Sequence, residues 1–187
     1  MRNGVADTAQ QADQPGAVGR LQAKFGDIDF APAELVSSDD KRRGQICVRV
    51  PVEKLEAVMR FLRDDRECAF DMLVDVTCID YLNYPGATDR FGVTYSLLSL
   101  AHNHRLWVKC LVNDPDPEVP TMTGIWKGAD WPEREVYDLF GVRFAGHPDL
   151  RRIMTWEGFG SHPLRKEYPL QGRGERENYP VFTRTSA

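Results

Sequence analysis

Between residues 72 and 112 the chain carries three runs in which apolar and polar side chains alternate. The first run covers 72–81, and the other two, 91–97 and 105–112, are separated by a short connection with a central asparagine. Alternation with a period of two is typical of half-buried strands, and Asn tolerates the positive φ of a tight turn. We therefore predict one strand followed by a β-hairpin. Strict alternation in the first strand would place on one face Met72, Val74, Val76 and Cys78.

The segment before these strands predicts another strand and two helices. Residues 45–50 alternate in the same way, and Pro51 then opens a stretch whose apolar residues recur at helical spacing through Leu62. A shorter amphipathic helix is predicted after Pro15, with Gly26 as its end. The predicted fold class is α+β, with a small, mainly antiparallel sheet and flanking helices.

Residues 131–140 carry the signals of one short, well-specified helix. Glu133 stands at the position of a capping box, and Gly141 supplies the C-terminal stop. Arg134 precedes Asp138 by four residues, a spacing that brings opposite charges together on a helix face. We expect these two side chains to form an ion pair.

Beyond this helix the chain is rich in Gly and Pro and shows no sustained periodicity, yet it still carries large aromatic residues. Such a segment is poorly suited to bury its own side chains, so we expect partners to order it. The predicted organisation is a disordered lead over 1–16, an α+β body over 17–140 and an extended docking tail over 141–187.

Composition excludes several classes of function. The formal net charge of -4 lacks the basic excess that binding to nucleic acid or anionic lipid requires. No apolar run approaches the roughly 20 residues that span a bilayer. The cysteines form no C-x-x-C pair, so we interpret them as reduced core residues and not as metal ligands: Cys47, Cys68, Cys78 and Cys110.

Two other kinds of site remain open alternatives from the residues alone. Glu133, Glu135 and Asp138 could form an acid/base or metal-binding carboxylate cluster, and a glutamate with His147 could form a catalytic pair. Acidic residues at a helix start are, however, common because they favour the helix dipole. The basic pairs at 151–152 and 165–166, with aromatic residues between them, could contact RNA. Docking onto another protein explains the same residues without a catalytic group.

Three segments closely resemble the signature of the thirty-kilodalton subunit family, which is the C subunit of respiratory NADH:quinone oxidoreductase (complex I). They are 133–142 (EREVYDLFGV), 146–153 (GHPDLRRI) and 162–166 (HPLRK). The upstream stretch 73–77 (LVDVT) also looks like this family, and the likeness covers about 45–172. Many motif positions in the same order are far more specific than one isolated motif.

The resemblance implies a structural subunit of the peripheral arm of an enzyme that passes electrons from NADH to quinone and pumps protons. In that family the holoenzyme carries FMN, iron-sulfur clusters and quinone, and this subunit holds none of them. The implied partners are subunits D and B, with no nucleic acid. The implied location is the cytoplasmic face of the bacterial inner membrane, reached through the complex. The alternative within this class is the equivalent subunit of a membrane-bound hydrogenase-like complex.

We predict no catalytic, cofactor-binding or metal-binding residue in this chain, and partner contacts from the last helix and the tail. One departure from the family pattern is Ser161, where Gly is usual and a positive φ would be strained. The predicted docking residues are Glu133, Arg134, Glu135, Asp138, Phe144, His147, Arg151, Arg152, Trp156, His162, Arg165, Lys166 and Tyr168.

Overall fold

A computed structural model describes residues 15–26, 33–35 and 45–174 of the chain. The predicted lead lies outside this part except at its last two residues, and so does the end of the predicted tail. The elements are α1 (Pro15–Lys24), β1 (Ala33–Leu35), β2 (Gln45–Arg49), α2 (Val52–Asp64), β3 (Met72–Asp80), β4 (Phe91–Ser99), β5 (His104–Val112), β6 (Glu118–Pro120), a 3-10 turn (Lys127–Ala129), α3 (Asp130–Phe140) and β7 (Arg143–Ala145).

The main sheet has five strands in the order β1-β2-β5-β4-β3. Pairing is antiparallel except between β2 and β5, which run parallel with Val48 opposite Val108. The hairpin of β4 and β5 is confirmed, and Asn103 in its connection has a φ of 53°. The α+β class is thus confirmed, with a mixed sheet whose one parallel pair joins segments far apart in sequence.

Strand β3 departs from strict alternation near its start. Its pairing with β4 shifts between Leu73 and Asp75, which marks a β-bulge. Leu73 is consequently buried, Val74 is exposed, and the alternation resumes with Val76 facing the core. The predicted placement of Val74 beside Val76 was therefore wrong, because a bulge adds one residue and reverses the faces before it.

Helices α1 and α2 pack together over the core side of the sheet. The buried face of α2 is formed by Leu55, Val58, Met59 and Leu62. In α1, Leu21 is fully buried, and Arg20 donates from Nε and Nη2 to the Asp65 carboxylate at 3.0 and 2.6 Å. This bidentate pair fixes α1 to the end of α2 and lowers the pKa of Asp65 to about 2.

Helix α3 lies against β3 and ends at Gly141, as predicted. Gly141 has a φ of 77°, the left-handed conformation that favours glycine at a helix end. The predicted capping box is wrong, since no side chain caps the N-terminus of α3. Glu133 turns inward to the segment after β6 instead.

The described part of the tail packs on its own body, so it buries more of its own side chains than its composition predicted. β7 pairs in parallel with β6 and buries Phe144 in the core. Further along, Phe159 is buried, and its ring meets Trp156 edge-to-face with centroids 4.8 Å apart. Hydrogen bonds to buried carboxylates and helix carbonyls replace the regular secondary structure that this sequence cannot form.

The four cysteines are buried and free of disulfides, as interpreted from their spacing. Burial raises the pKa of the Cys78 and Cys110 thiols to about 12 and that of Cys68 to about 11. These groups remain neutral thiols and behave as small core side chains.

Candidate partner-docking surface

The carboxylate of Asp138 organises the tail from inside α3. It is fully buried, and its Oδ2 accepts hydrogen bonds from the backbone N–H groups of Ile153, Met154 and Thr155 at 3.0, 2.7 and 2.7 Å. Its Oδ1 accepts from Arg152 Nη1 at 2.7 Å and from the Thr155 hydroxyl. One helical side chain therefore fixes the path of three consecutive tail residues.

The protonation of Asp138 follows from these contacts. Burial alone would raise its pKa, but the Thr155 hydroxyl and amide, Arg152 and the Met154 amide outweigh burial and lower the pKa to about 2. The group is therefore a carboxylate at all physiological pH values. A buried anion with this many donors is held as a structural group and is not available as a general acid.

The tail also satisfies the carbonyl groups that α3 leaves open at its end. His162 Nδ1 donates to the Asp138 carbonyl at 2.9 Å, and the Leu164 N–H donates to the Leu139 carbonyl at 3.0 Å. Arg165 Nε donates to the Phe140 carbonyl at 2.6 Å. The last carbonyls of a helix have no intrahelical partner and carry partial negative charge, so these donors stabilise the helix end.

The residues that join the tail to α3 form one cluster, which we call the tail junction. It consists of Asp138, Phe140, Arg152, Thr155, His162 and Arg165. Gly141 lies against it, and a Cβ at Gly141 would come within 2.6 Å of His162 Nε2. Burial lowers the pKa of His162, so its ring is neutral and its Nδ1 carries the proton that is donated. Ser161 keeps a negative φ and accepts from Arg152 at 3.1 Å, so the strain anticipated there does not arise.

A second buried carboxylate, Asp80, holds the tail at the end of β3. Its Oδ2 accepts from the Lys166 N–H at 2.9 Å, and Arg90 lies 3.4 Å away. Arg90 also pairs with Glu167 of the tail and with Asp114, and these contacts raise its pKa. Asp80 thus adds to the attachments that Asp138 and the β6–β7 pair give to the tail.

Arg134 contacts the tail and not Asp138, so the predicted pair along the helix is wrong. Its Nε donates to the Arg151 carbonyl at 3.1 Å and its Nη2 to the Arg152 carbonyl at 3.3 Å. Asp138 is instead enclosed by the tail. Arg151 itself pairs with Asp149 at 2.9 Å and is exposed.

Glu133 and His147 form a separate buried group at the start of α3. Glu133 accepts from the Thr121 hydroxyl at 2.5 Å and the Met122 N–H at 2.6 Å, and burial raises its pKa to about 7. His147 Nε2 donates to the Asp130 carbonyl at 3.2 Å and lies 4.0 Å from Glu133. The distance and the engaged donors leave no hydrogen-bonded acid/base pair between the two side chains.

Four predicted docking residues have side chains enclosed by the chain itself, which leaves them no surface to offer a partner. Their role is corrected to an internal one, because each supports α3 or the core. They are Glu133, Asp138, Phe144 and His147.

The other predicted docking residues lie partly or fully at the surface of α3 and the tail. Trp156, Arg152, His162, Arg165 and Tyr168 are half-buried, whereas Glu135, Arg151 and Lys166 are exposed. The ring of Tyr168 lies 6.0 Å from that of Phe159, with the guanidinium of Arg173 over it at 5.4 Å. The docking role of this set stays a prediction.

Sequence reasoning missed three exposed apolar side chains of α3 and the tail. Trp131 on α3 is 69% exposed, and Met154 and Leu164 in the tail are 64% and 51% exposed. Together with Glu135 and Arg151 they form what we call the docking surface. Their exposure could not be predicted, because it depends on how Asp138 and the α3 carbonyls direct the tail. Asp80, Arg90 and Thr155 were missed for the same reason, since their partners lie far away in sequence.

Two negative findings apply to the described residues. None of their helices is long and apolar enough to cross a membrane. Within the same ranges, His, Cys, Asp and Glu side chains form no group of three or more that could hold a metal ion.

Comparison with known proteins assigns most of the chain to one family. Residues 48–174 match the family described as respiratory-chain NADH dehydrogenase, 30 Kd subunit. The C subunit of NADH-quinone oxidoreductase from Sinorhizobium medicae is 46% identical over 145 residues, which cover 78% of this chain and 70% of that protein. The corresponding protein of Acidithiobacillus ferrooxidans is 48% identical over 136 residues, covering 71% and 67%.

Solved structures agree in fold. A trypsin-resistant fragment of Nqo5 is 34% identical, with a TM-score of 0.60 over 72% of this chain and 99% of the fragment. A chain of an archaeal membrane-bound sulfane sulfur reductase has a TM-score of 0.66 over 89% of this chain and 91% of its own, but at 21% identity it shows the fold alone. The family resemblance of the sequence motifs is thus confirmed: this chain belongs to the 30 Kd subunit family of the respiratory-chain NADH dehydrogenase, the family of the NADH-quinone oxidoreductase C subunits.

Proposed function

We propose that this chain is a cofactor-free, non-catalytic subunit of the peripheral arm of NADH-quinone oxidoreductase. It joins the neighbouring subunits D and B through the docking surface. Through the complex, it sits at the cytoplasmic face of a bacterial inner membrane and supports electron transfer from NADH to quinone with proton translocation. FMN, the iron-sulfur clusters and quinone belong to other subunits of the assembly.

The observation that carries this proposal is the exposure of apolar side chains on α3 and on the tail that packs against it. Two buried carboxylates and the α3 carbonyls hold the tail in place, yet Trp131, Met154 and Leu164 point outward. Trp is enriched among the residues that dominate binding energy at interfaces. A structure that fixes its tail so firmly while leaving such residues uncovered suits a permanent protein partner.

The electrostatics also favour a structural role. Asp138 and Asp80 are saturated by donors, and Glu133 is enclosed beside Thr121 and Met122. A general acid or base must reach a substrate, and the burial of these groups favours a structural role instead. Their shifted pKa values reflect the packing of α3 and the tail.

The test replaces the exposed apolar residues in a strain that lacks the native subunit. Trp131→Ala combined with Met154→Ala should lower the amount of assembled complex by roughly 30-fold, the equivalent of about 2 kcal/mol of binding. Turnover per assembled complex should stay unchanged. Leu100→Ala is the matched control, because Leu100 is 65% exposed in the β4–β5 connection. Normal assembly with reduced turnover would show a catalytic role and contradict the proposal.

The identity of the partners needs a separate readout. Mass spectrometry of proteins that co-purify with the tagged native chain should find D and B, and the double variant should lose them. Retention of both by the double variant would show that they meet another surface.

A further inference from the structure

The face of the main sheet that points away from α2 and α3 carries two adjacent cations. Arg49 on β2 is the register partner of Lys109 on β5, and both alternate with the core residues Val48 and Val108. Neighbouring strands lie about 4.8 Å apart, so the two charged side chains leave the sheet side by side. Like charges in this arrangement repel each other. A negative group placed between them would remove that repulsion.

A cavity of about 250 Å³ opens beside these cations, and tyrosines of the β3–β4 connection form part of its wall. The ring of Tyr81 lies against β4 at Gly92, where an added Cβ would come within 2.8 Å of the ring. Glycine at this position thus gives the ring room to approach the strand. Tyr84 meets Tyr81 edge-to-face at 5.8 Å and is 65% exposed at the cavity edge.

The positive charge of the cavity is not balanced by the described residues. Lys109 Nζ donates to the Tyr81 hydroxyl at 2.8 Å, and Arg49 forms no ion pair with the side chains that the structure describes. Asp89 is the one carboxylate among the residues lining the cavity, and both of its oxygens accept from neutral side chains at 2.8 Å. Among the described lining residues, Arg49, Lys109 and Asp89 therefore leave one net positive charge, which a single carboxylate from outside would neutralise.

The size of the cavity favours a protein side chain over a small molecule as the group that binds there. Sites for small organic ligands usually measure about 300 to 1,000 Å³, and this one is smaller and lies on an open sheet face. Arginine and tyrosine are enriched at protein interfaces, and a carboxylate matches the guanidinium fork of arginine.

We infer that the cavity receives an aspartate or glutamate side chain from an acidic segment of a neighbouring subunit, with its carboxylate between Arg49 and Lys109. The inference rests on this chain being a subunit of the complex. It does not depend on the docking surface, because the cations lie on the opposite side of the sheet from α3. The two surfaces would allow the subunit to be held from both sides.

Photo-crosslinking in the assembled complex tests the contact directly. A benzoylphenylalanine at position 84 replaces an exposed tyrosine with a ring of similar shape. We expect a crosslink to a segment of another subunit that contains Asp or Glu, found by mass spectrometry of the assembled complex. A crosslink confined to this chain, or to a segment without acidic residues, or none at all, would overturn the inference.

Charge reversal supplies the matched comparison. Arg49→Glu should lower the crosslink yield by about tenfold, since it replaces attraction by repulsion. Arg105→Glu is the control, because Arg105 is exposed on the same face of β5 but does not line the cavity. Replacing the crosslinked acidic residue with lysine should restore the yield with Arg49→Glu. An equal yield for Arg49→Glu and the native chain would contradict the proposal.

A free anion is the remaining explanation to separate. Inorganic phosphate or citrate should leave the thermal unfolding of the full chain unchanged at millimolar concentration. Stabilisation by either anion that Arg49→Gln abolishes, without a crosslink from position 84, would assign the cavity to a small ligand and refute the protein contact. Loss of assembly from the Trp131 and Met154 variants would bear only on the docking surface, so the two proposals fail separately.

Discussion

The β4–β5 hairpin and the tail reach a defined structure by different physical means. In the hairpin, the residues of β4 and β5 pair from Phe91 opposite Val112 to Ser99 opposite His104. Burial alternates along β5, whereas β4 is buried on both faces, with Thr94 and Ser96 on the face away from the core. In the tail, backbone N–H groups donate hydrogen bonds to a few buried carboxylates, chiefly Asp138 and Asp80. The hairpin distributes its stability over many similar contacts, whereas the tail concentrates it in a small number of charged ones. The tail should therefore respond to single substitutions and to pH far more sharply than the sheet.

The strongest way to break this contrast is Asp138→Ala. The change leaves Arg152 and three backbone N–H groups without their acceptor, and removing one partner of a buried pair costs about 3 to 5 kcal/mol. We expect hydrogen exchange to become fast across the tail while β4 stays protected, and trypsin to cleave at Arg151 and Arg152. Glu135→Ala, exposed on the same helix, should change unfolding by less than about 0.5 kcal/mol. Equal loss of protection in the sheet would show that the two regions unfold as one unit.

The pH dependence of stability sharpens the contrast, because the pKa values of two buried carboxyl groups are shifted in opposite directions. Glu133 keeps its proton in the folded state up to about pH 7, whereas the unfolded chain releases it near 4.5. The folded state binds more protons in that window, so stability falls as pH rises from 4.5 through 7, by an amount on the order of 3 kcal/mol. Asp138 acts in the other direction, and its contribution is present above 3.8 and lost as pH falls toward 2.

The check is urea unfolding of native and Glu133→Gln protein from pH 5 to 8. Glutamine keeps an acceptor for the Met122 N–H but does not titrate, so the variant should show a much smaller decline. A decline of the same size in both proteins would mean that another group causes it.

The smallest expected effect comes from a substitution at Gly141, where α3 ends and the tail begins. Gly141→Ala forces a β-carbon into a residue with a φ of 77° and against His162, which we expect to cost about 2 to 3 kcal/mol. Gly124→Ala is the control, because a Cβ there meets nothing within 4 Å and should cost less than about 0.5 kcal/mol. Denaturant unfolding measures both. Similar costs for the two variants would remove the steric argument at Gly141.

The sequence predicted the parts of the fold that depend on local pattern. The hairpin, the buried face of α2 and the end of α3 at Gly141 all follow from periodicity and a stop residue. The bulge after Leu73 was not visible, because alternation of apolar residues continues through it in the sequence. The parallel pairing of β2 with β5 and the short β6–β7 ribbon join distant segments, and local propensity carries no information about such pairs.

The candidate site was only partly predictable for the same reason. The motif residues marked the region where the tail meets α3, and Arg152, His162 and Arg165 do converge on this helix. Their contacts with Asp138 and the helix carbonyls require the tail to turn back on the body, which depends on tertiary geometry. Helical spacing favoured a pair of Arg134 with Asp138, but a buried carboxylate surrounded by several donors is more stable than one exposed pair.

The C-terminal end of α3 is hydrogen-bonded by residues that follow it by more than twenty positions. These contacts decide how long an expressed fragment should be. A chain cut after Gly141 would retain the whole main sheet but would leave the Asp138 charge and the last helix carbonyls without donors. A fragment must reach Glu167 to keep the contacts of the tail with both Asp138 and Asp80. During synthesis these donors reach the last carbonyls of α3 only after the downstream stretch has left the ribosome.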